Sequence, residues 1–222
     1  MSLNEWDAED IFDVVQRLEK SFGLVFDRYA FSEVRTFGDL CAVFEQYITA
    51  PHREDCTGQQ AFYRVRDAMA ATFAIDKTQI VPDSPLAEIF PAKNRRKEVK
   101  QFRKHLGINI NFLAYPDWLK SLLAIAFLTS LIFLFLSWKI AVAGCCLSIA
   151  GLRLIAYGDK QLQYQTVRQL TEQLVREHYT AVRRDPHTVN RKEIRTTIIN
   201  AFSTYLYLDQ SALRPEARFS WA

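Results

Sequence analysis

The chain has 222 residues, of which 49% are hydrophobic and 24% are charged, and its formal net charge is +3. This composition excludes wholesale disorder, and so small a net charge gives no reason to expect nucleic acid as a partner. Glycine and proline are scarce, with seven of each, which favours helices and predicts an all-α fold.

Three amphipathic helices are predicted in the first third of the chain. In the first helix, apolar residues recur on one face from Ile11 to Phe22, and Gly23 is expected to end it. Thr36 is expected to cap the second helix, whose apolar stripe begins at Leu40. The third helix is predicted between residues 59 and 73.

A strongly basic stretch follows these helices. It contains one acid, Glu98, against seven cations: Lys93, Arg95, Arg96, Lys97, Lys100, Arg103 and Lys104. Because it precedes a long apolar segment, its cations are expected to meet anionic lipid headgroups at a membrane surface, at about 1 kcal/mol each. The same pattern also fits a solvated helix face, and the two interpretations are compatible.

Residues 118–158 are predicted to form a transmembrane hairpin of two helices. The stretch between Lys120 and Lys139 carries no charge, and the stretch that follows, up to Gly158, carries only Arg153. Both stretches come close to the roughly 20 apolar residues that a helix needs to cross a bilayer core. Small residues of the second stretch are expected to let the two helices approach closely; they are Gly144, Ser148 and Gly151. The alternative is a hairpin buried in a helical domain, which would need a larger surrounding shell than the rest of the chain offers.

The distribution of cations predicts the orientation of this hairpin. Cations flank it on both outer sides, whereas the connection between its helices contains only Lys139. Since positively charged loops stay in the cytoplasm, both termini are expected to be cytoplasmic, with the hairpin in the inner membrane of a bacterium.

After the hairpin, a long amphipathic helix is predicted over residues 159–184, ending before Asp185 and Pro186. The last segment, residues 188–222, contains a further amphipathic helix with Ile198 and Phe202 on its apolar face.

Two internal echoes link distant parts of the chain. "AIDKTQIVPDSPLAEIF", which begins at Ala74, aligns without a gap with "YLDQSALRPEARF", which begins at Tyr207. "VVQRLEKSFGLVF" aligns in the same way with "EVKQFRKHLGINI", which matches Gly23 with Gly107. The echoes predict that pieces of one helical unit occur twice.

Several of these segments resemble the acyl carrier protein family. "RLEKSFGL" and "RTFGDL" look like the end of its second helix and the start of its last, so residues 1–50 resemble its helices two to four. Residues 59–115 resemble its first two helices, and residues 188–222 resemble its first helix and the following loop. The resemblance implies small helical bundles, and the order of the pieces predicts a permuted bundle in which residues 194–219 pack against residues 7–48.

In that family, a serine that opens the second helix carries a phosphopantetheine arm. At the family's usual spacing before Gly23 stands Ala8, and before Gly107 stands "PAKN", residues 91–94, so both copies lack the serine. Ser84, in "DSPL", belongs to the preceding loop and is the remaining candidate for an arm. The resemblance therefore implies degenerate modules without a cofactor.

No residue pattern in the sequence indicates catalysis or a metal site. The four histidines lack H-x-x-x-H and H-E-x-x-H spacing, and the four cysteines lack a C-x-x-C pair. The sequence favours a non-enzymatic scaffold that is tethered to the membrane and binds lipid and a protein partner, and a homo-oligomer is compatible with it. The alternatives are a genuine acyl carrier with an atypical serine and a soluble helical interaction or immunity protein.

Overall fold

Helices make up most of the described chain, as the composition predicts. The structure, a computed structural model, describes residues 3–114, 117–132, 146 and 161–221. Its helices are α1 (Ala8–Phe22), α2 (Phe37–Tyr47), α3 (Thr57–Phe73), α4 (Leu86–Ile89), α5 (Arg95–Leu106), α6 (Asp117–Ile132), α7 (Val167–Glu177), α8 (Tyr179–Val182) and α9 (Arg191–Tyr205). Two short strands, β1 (Leu113–Ala114) and β2 (Gln161–Leu162), form an antiparallel ribbon.

The chain folds into two compact units, and the sequence of one is inserted in the sequence of the other. Unit 1 consists of Met1–Arg66 together with Arg168–Ala222, and unit 2 is the intervening segment Asp67–Val167. Unit 1 therefore contains α1, α2, α8 and α9, and unit 2 contains α4, α5, α6 and the ribbon, while α3 and α7 have residues in both.

The first two helices of unit 1 begin and end where the sequence predicts. Gly23 adopts the left-handed conformation, with φ of 64°, and its N–H caps carbonyls in the last turn of α1. At the start of α2, the Thr36 hydroxyl accepts a hydrogen bond from the Asp39 N–H, and the Asp39 carboxylate accepts one from the Thr36 N–H. This reciprocal capping box satisfies two N–H groups that a helix start leaves free.

The predicted packing of the C-terminal piece against the N-terminal piece is confirmed. Helix α9 packs against α1 and α2, and its Ile198 and Phe202 are fully buried in the same core as Leu18 and Leu40. The rings of Phe202 and Phe37 meet edge to face, with centroids 5.3 Å apart. Residues separated by most of the sequence thus share one hydrophobic core.

Unit 2 has a core of its own, built around aromatic rings. Phe90, Phe102 and Phe112 are fully buried, and their ring centroids lie 5.4–5.8 Å apart. Phe73, at the end of α3, contacts Phe90 with centroids 5.0 Å apart. Edge-to-face aromatic packing of this kind adds about 0.5–1.5 kcal/mol per pair beyond the buried area.

The two units repeat the same backbone pairing. In unit 1, the N–H of Phe37 donates to the carbonyl of Ala217 and the N–H of Phe219 to that of Arg35, at 2.8 and 3.2 Å. In unit 2, the equivalent bonds run from Val167 to Ser84 and from Leu86 to Gln165, at 3.1 and 2.8 Å. One partner of each bond is displaced along the sequence by the offset of the first internal echo, and the other by a second constant offset. Both units therefore contain the same backbone pairing.

The turns after α3 and α9 also fold alike. Ala74 and Tyr207, the first residues of the two echoing segments, have positive φ values of 54° and 52°. Two residues later, the carboxylates of Asp76 and Asp209 each accept a hydrogen bond from the N–H two positions on, at 2.8 and 2.7 Å. The first internal echo in the sequence thus corresponds to a repeated turn.

The single long helix predicted over residues 159–184 is wrong. Gln161 and Leu162 form strand β2, α7 begins only at Val167 and ends at Glu177, and α8 is a separate short helix. The break occurs where the Tyr179 N–H donates to the Ser21 hydroxyl, 2.9 Å away on α1, instead of continuing the hydrogen-bond ladder of α7. A tertiary contact therefore overrides the local helical pattern.

Candidate functional site

The β1–β2 ribbon lies at the base of the apolar segment. Leu113 is paired with Leu162 and Ala114 with Gln161, and the Gln163 N–H donates to the Phe112 carbonyl at 2.9 Å. Paired residues of antiparallel strands have Cα atoms about 4.5–5.5 Å apart. The segment of residues 115–160 therefore begins and ends at the same place in unit 2.

Helix α6 begins this segment and exposes large apolar side chains. Ile125, Phe127 and Leu128 are 62%, 43% and 59% exposed. Two of its hydroxyl groups donate within the helix, that of Thr129 to the Ile125 carbonyl at 2.9 Å and that of Ser130 to the Ala126 carbonyl at 2.8 Å. From residue 121 to its end at Ile132 the helix has no charged residue. Large apolar side chains are therefore exposed on a part of α6 that carries no charge.

The predicted transmembrane hairpin is described only in part. Within the described ranges, no helix combines the length and the apolar character needed to cross a membrane. The predicted packing residues, Gly144, Ser148 and Gly151, lie outside the described residues, as does the second predicted helix apart from Cys146.

The basic stretch separates into lysines that face outward and arginines that are partly buried. Lys97, Lys100 and Lys104 are exposed on α5 and, at spacings of three and four residues, share one face of that helix. We call these three residues the lysine stripe. Lys93, in the turn before α5, is also exposed. The lysine stripe presents a row of compact positive charges on unit 2.

The arginines of the same stretch contact their own unit. Arg95 donates from Nε to the Phe90 carbonyl at 2.9 Å, and Arg103 donates from Nη2 to Asn111 Oδ1 at 3.0 Å. Partial burial lowers the pKa of the Arg103 guanidinium from its ordinary value. Arg96 is also half-buried. Of the seven predicted cations, the arginines thus contribute to the packing of unit 2 as well as to its charge.

Ser84 lies in the turn before α4. Its hydroxyl oxygen accepts a hydrogen bond from the Val81 N–H at 3.0 Å, and its own N–H donates to the Val81 carbonyl at 3.0 Å. Its carbonyl accepts from the Val167 N–H, which is one of the repeated backbone bonds. The residue at the equivalent position of unit 1 is Ala217, so this turn folds with or without a hydroxyl.

The helices matched by the second echo, α1 and α5, begin without a serine. Ala8 is the first residue of α1, and Asn94 directly precedes α5. Both helices end at a glycine with positive φ, 64° at Gly23 and 72° at Gly107. The starts of these helices therefore offer no hydroxyl group at the position that the resemblance assigns to an attachment site.

The described residues contain no group of three or more side chains suited to bind a metal ion. His105 lies 3.0 Å from the Thr72 hydroxyl, and His52 accepts a hydrogen bond from the Arg191 N–H. Cys41 is buried in the core of unit 1, and this burial raises the pKa of its thiol to about 12. Cys56 is exposed.

Two features of the structure had no signal in the sequence. The ribbon has two residues in each strand, too few for a periodic pattern. The buried Arg176 is one of several charged residues along α7, and its burial depends on contacts with α9. A further correspondence, between Thr36 and Thr166, could have been found in the sequence, because Leu40 and Leu170 follow them at the same spacing. Each of these threonines forms an isolated β-bridge.

Comparison of the chain with protein-family models, with characterised proteins and with solved structures finds no significant match to any of them.

Proposed function

We propose that the protein is a non-enzymatic scaffold tethered to the membrane and built from two degenerate modules that resemble acyl carrier proteins. The observation that carries this proposal is the ribbon that closes the base of the apolar segment. A segment that leaves and re-enters at one place has the topology of a membrane hairpin, whose ends emerge on the same side of the bilayer. Residues 115–160 are long enough for two passes of about 20 residues and a turn.

The character of α6 supports the tether. Ile125, Phe127 and Leu128 are large apolar side chains that this helix exposes. Such a surface is unfavourable in water, and its burial in lipid is favourable by about 25 cal/mol per Å². The hydroxyls of Thr129 and Ser130 donate within the helix, as polar groups in hydrocarbon must.

The lysine stripe supports a position of unit 2 at the lipid surface. Exposed lysines near an anionic leaflet are attracted by about 1 kcal/mol each. The stripe is on α5, which precedes strand β1 by only a few residues, so these charges are held close in sequence to the point where the apolar segment begins. Lipid headgroups are thus the first binding partner in this proposal.

The helix starts support a role without a covalent arm. Ala8 and Asn94 stand where each module would need its serine, and the Ser84 hydroxyl is engaged in its own turn. Two packed bundles then offer protein-binding surface rather than a carrier function. The partner would be a protein that this surface holds near the membrane.

Alkaline carbonate extraction of membranes from cells that produce the full chain tests the tether. We expect the chain to stay in the membrane pellet, together with an integral membrane marker. Release into the supernatant would refute the tether and would favour a soluble helical interaction protein. The intact mass of the chain, after co-production with a phosphopantetheinyl transferase, is expected to be unmodified. A pantetheine adduct would refute the scaffold and establish a genuine carrier.

Amine labelling in vesicles tests the role of the lysine stripe. The full chain is reconstituted into phosphatidylglycerol or phosphatidylcholine vesicles and labelled with a lysine reagent, and each site is quantified by mass spectrometry. We expect Lys97, Lys100 and Lys104 to be labelled more slowly in the anionic vesicles, whereas Lys20 and Lys192, exposed lysines of unit 1, serve as internal references. Equal labelling of the stripe in both lipids would contradict its assignment to the membrane surface.

A further inference from the structure

Unit 1 contains a polar cavity of about 430 Å³ between α7 and α9. Hydroxyl, amide and guanidinium groups form much of its lining, which includes Thr171, Arg176, Thr197, Asn200, Ser203 and Thr204. A cavity of this size is at the lower end of the range that small-molecule sites occupy. Its walls differ from the apolar core of the unit, because they carry polar side chains.

Arg176 is the buried cation of this cavity. The residue is only 9% exposed, and its Nη2 donates to Gln173 Oε1 at 2.5 Å. Its Nε is shielded from solvent and has no hydrogen-bond partner. Among the described residues, Arg176 forms no ion pair, and its guanidinium lies 5.9 Å from the ring centre of Tyr205. A buried charge in this state is costly unless something compensates it.

Arg183 shows how the same unit satisfies a buried guanidinium that has only a structural role. It is 1% exposed, and its nitrogens donate to the carbonyls of Arg53 and Asp55 and to the hydroxyls of Thr57 and Thr188, at 2.6–3.5 Å. Arg176 lacks such a set of acceptors, so a part of its donor capacity remains for a ligand.

One carboxylate near Arg176, that of Glu177, belongs to the same hydrogen-bonded network, and another lies at the rim. Glu177 accepts hydrogen bonds from the Gln173 amide and the Tyr205 hydroxyl. Glu172, which also lines the cavity, is exposed. On the cationic side, Arg17 lies over the ring of Tyr205 at 4.9 Å from its centre. Arg176 therefore forms no direct ion pair with Glu177, and its Nε keeps a hydrogen that no acceptor of the unit takes.

We propose that this cavity binds a small organic oxyanion, a carboxylate or a phosphate ester, whose charged head is held by Arg176. A guanidinium matches both kinds of head with paired hydrogen bonds. The amide of Asn200 and the hydroxyl of Thr204 supply further polar contacts for the head or for a polar body attached to it. This site belongs to unit 1 and does not depend on the membrane tether.

Calorimetric titration of the full chain in detergent micelles tests the site, with inorganic phosphate and succinate as separate probes at matched ionic strength. We expect saturable binding of at least one probe, and the probe that binds identifies the head group. Arg176→Gln is expected to weaken binding at least tenfold, whereas Arg184→Gln, which removes an exposed arginine of the same unit, is expected to leave it unchanged.

Two further variants keep the test decisive if Arg176→Gln does not fold. Thr204→Trp places a large side chain at an exposed position of the lining and is expected to abolish binding with the fold intact. Replacing the three residues of the lysine stripe with glutamine is expected to leave binding unchanged. The proposal is overturned if neither probe binds saturably, if Arg176→Gln folds and binds like the wild type, if Thr204→Trp binds normally, or if binding is lost with the lysine stripe.

Discussion

Substituting Gly38 with alanine is expected to weaken the packing of the C-terminal segment against α2. A Cβ atom at this position would lie 2.9 Å from the Pro215 carbonyl oxygen and 3.2 Å from the Pro215 Cβ. The Gly38 N–H donates to that same carbonyl at 2.9 Å, next to the bond from Phe37 to Ala217. Because backbone atoms form the obstacle, the C-terminal segment must move away from α2.

The magnitude follows from three terms. Overpacking costs about 1–3 kcal/mol, and the weakened hydrogen bond costs about 0.5–1.5 kcal/mol. Alanine returns about 0.8–1.0 kcal/mol, because it is a better helix former than glycine in α2. We therefore expect Gly38→Ala to lower the free energy of unfolding of unit 1 by about 2 kcal/mol.

Gly58→Ala is the matched control, since it makes the same chemical change near the start of α3. There a Cβ would meet only the Cys56 sulfur, at 3.9 Å, so this variant is expected to be neutral or slightly stabilising. The assay is urea unfolding of the full chain in detergent, followed by fluorescence of Trp6 and Trp221 after Trp118 and Trp138 are replaced by phenylalanine. If Gly38→Ala unfolds at the same urea concentration as Gly58→Ala, the close approach of Pro215 to α2 is refuted.

Three other predictions concern unit 1. Arg183→Met should lower the free energy of unfolding by about 2–4 kcal/mol, because it leaves buried carbonyls and hydroxyls without donors; an unchanged urea midpoint would refute this. With Cys145 and Cys146 replaced by serine, a thiol reagent should label Cys56 rapidly and Cys41 only on unfolding, since burial raises the pKa of Cys41 to about 12; rapid labelling of two thiols would contradict it. Hydrogen bonds from the backbone and side chain of Thr36 lower the pKa of Asp39, so its contribution is present above the unfolded-state pKa of about 4 and is lost as the pH falls through the folded-state value. Asp39→Asn should therefore reduce the loss of stability on acidification, and an equal loss in both proteins would count against the capping box.

Local signals predicted much of unit 1 because they act over a few residues. The stripe from Ile11 to Phe22 and the glycine after it specify α1 and its end, and the Thr36 cap specifies the start of α2. The order of the segments that resemble carrier helices also predicted that α9 packs on the N-terminal helices, since each end of the chain supplies the helices that the other lacks.

Features that depend on distant partners could not be predicted in the same way. The break between α7 and α8 depends on the hydroxyl of Ser21, which lies on α1, far away in sequence. The cavity that Arg176 lines lies between α7 and α9, which are separated in the sequence. The basic stretch predicted a charged face, but the division between outward lysines and partly buried arginines follows from the packing of α5 and is not written in its composition.

The ribbon of β1 and β2 makes residues 115–160 a replaceable insertion in unit 2. Because the paired strands hold the two ends of the insertion together, the fold of the rest of the unit does not depend on the length or sequence of the insertion. Closing a longer loop raises the entropic penalty by only about 0.6 kcal/mol per doubling of length. Evolution, or a protein engineer, can therefore lengthen, shorten or replace the inserted segment while the bundle beneath it stays the same.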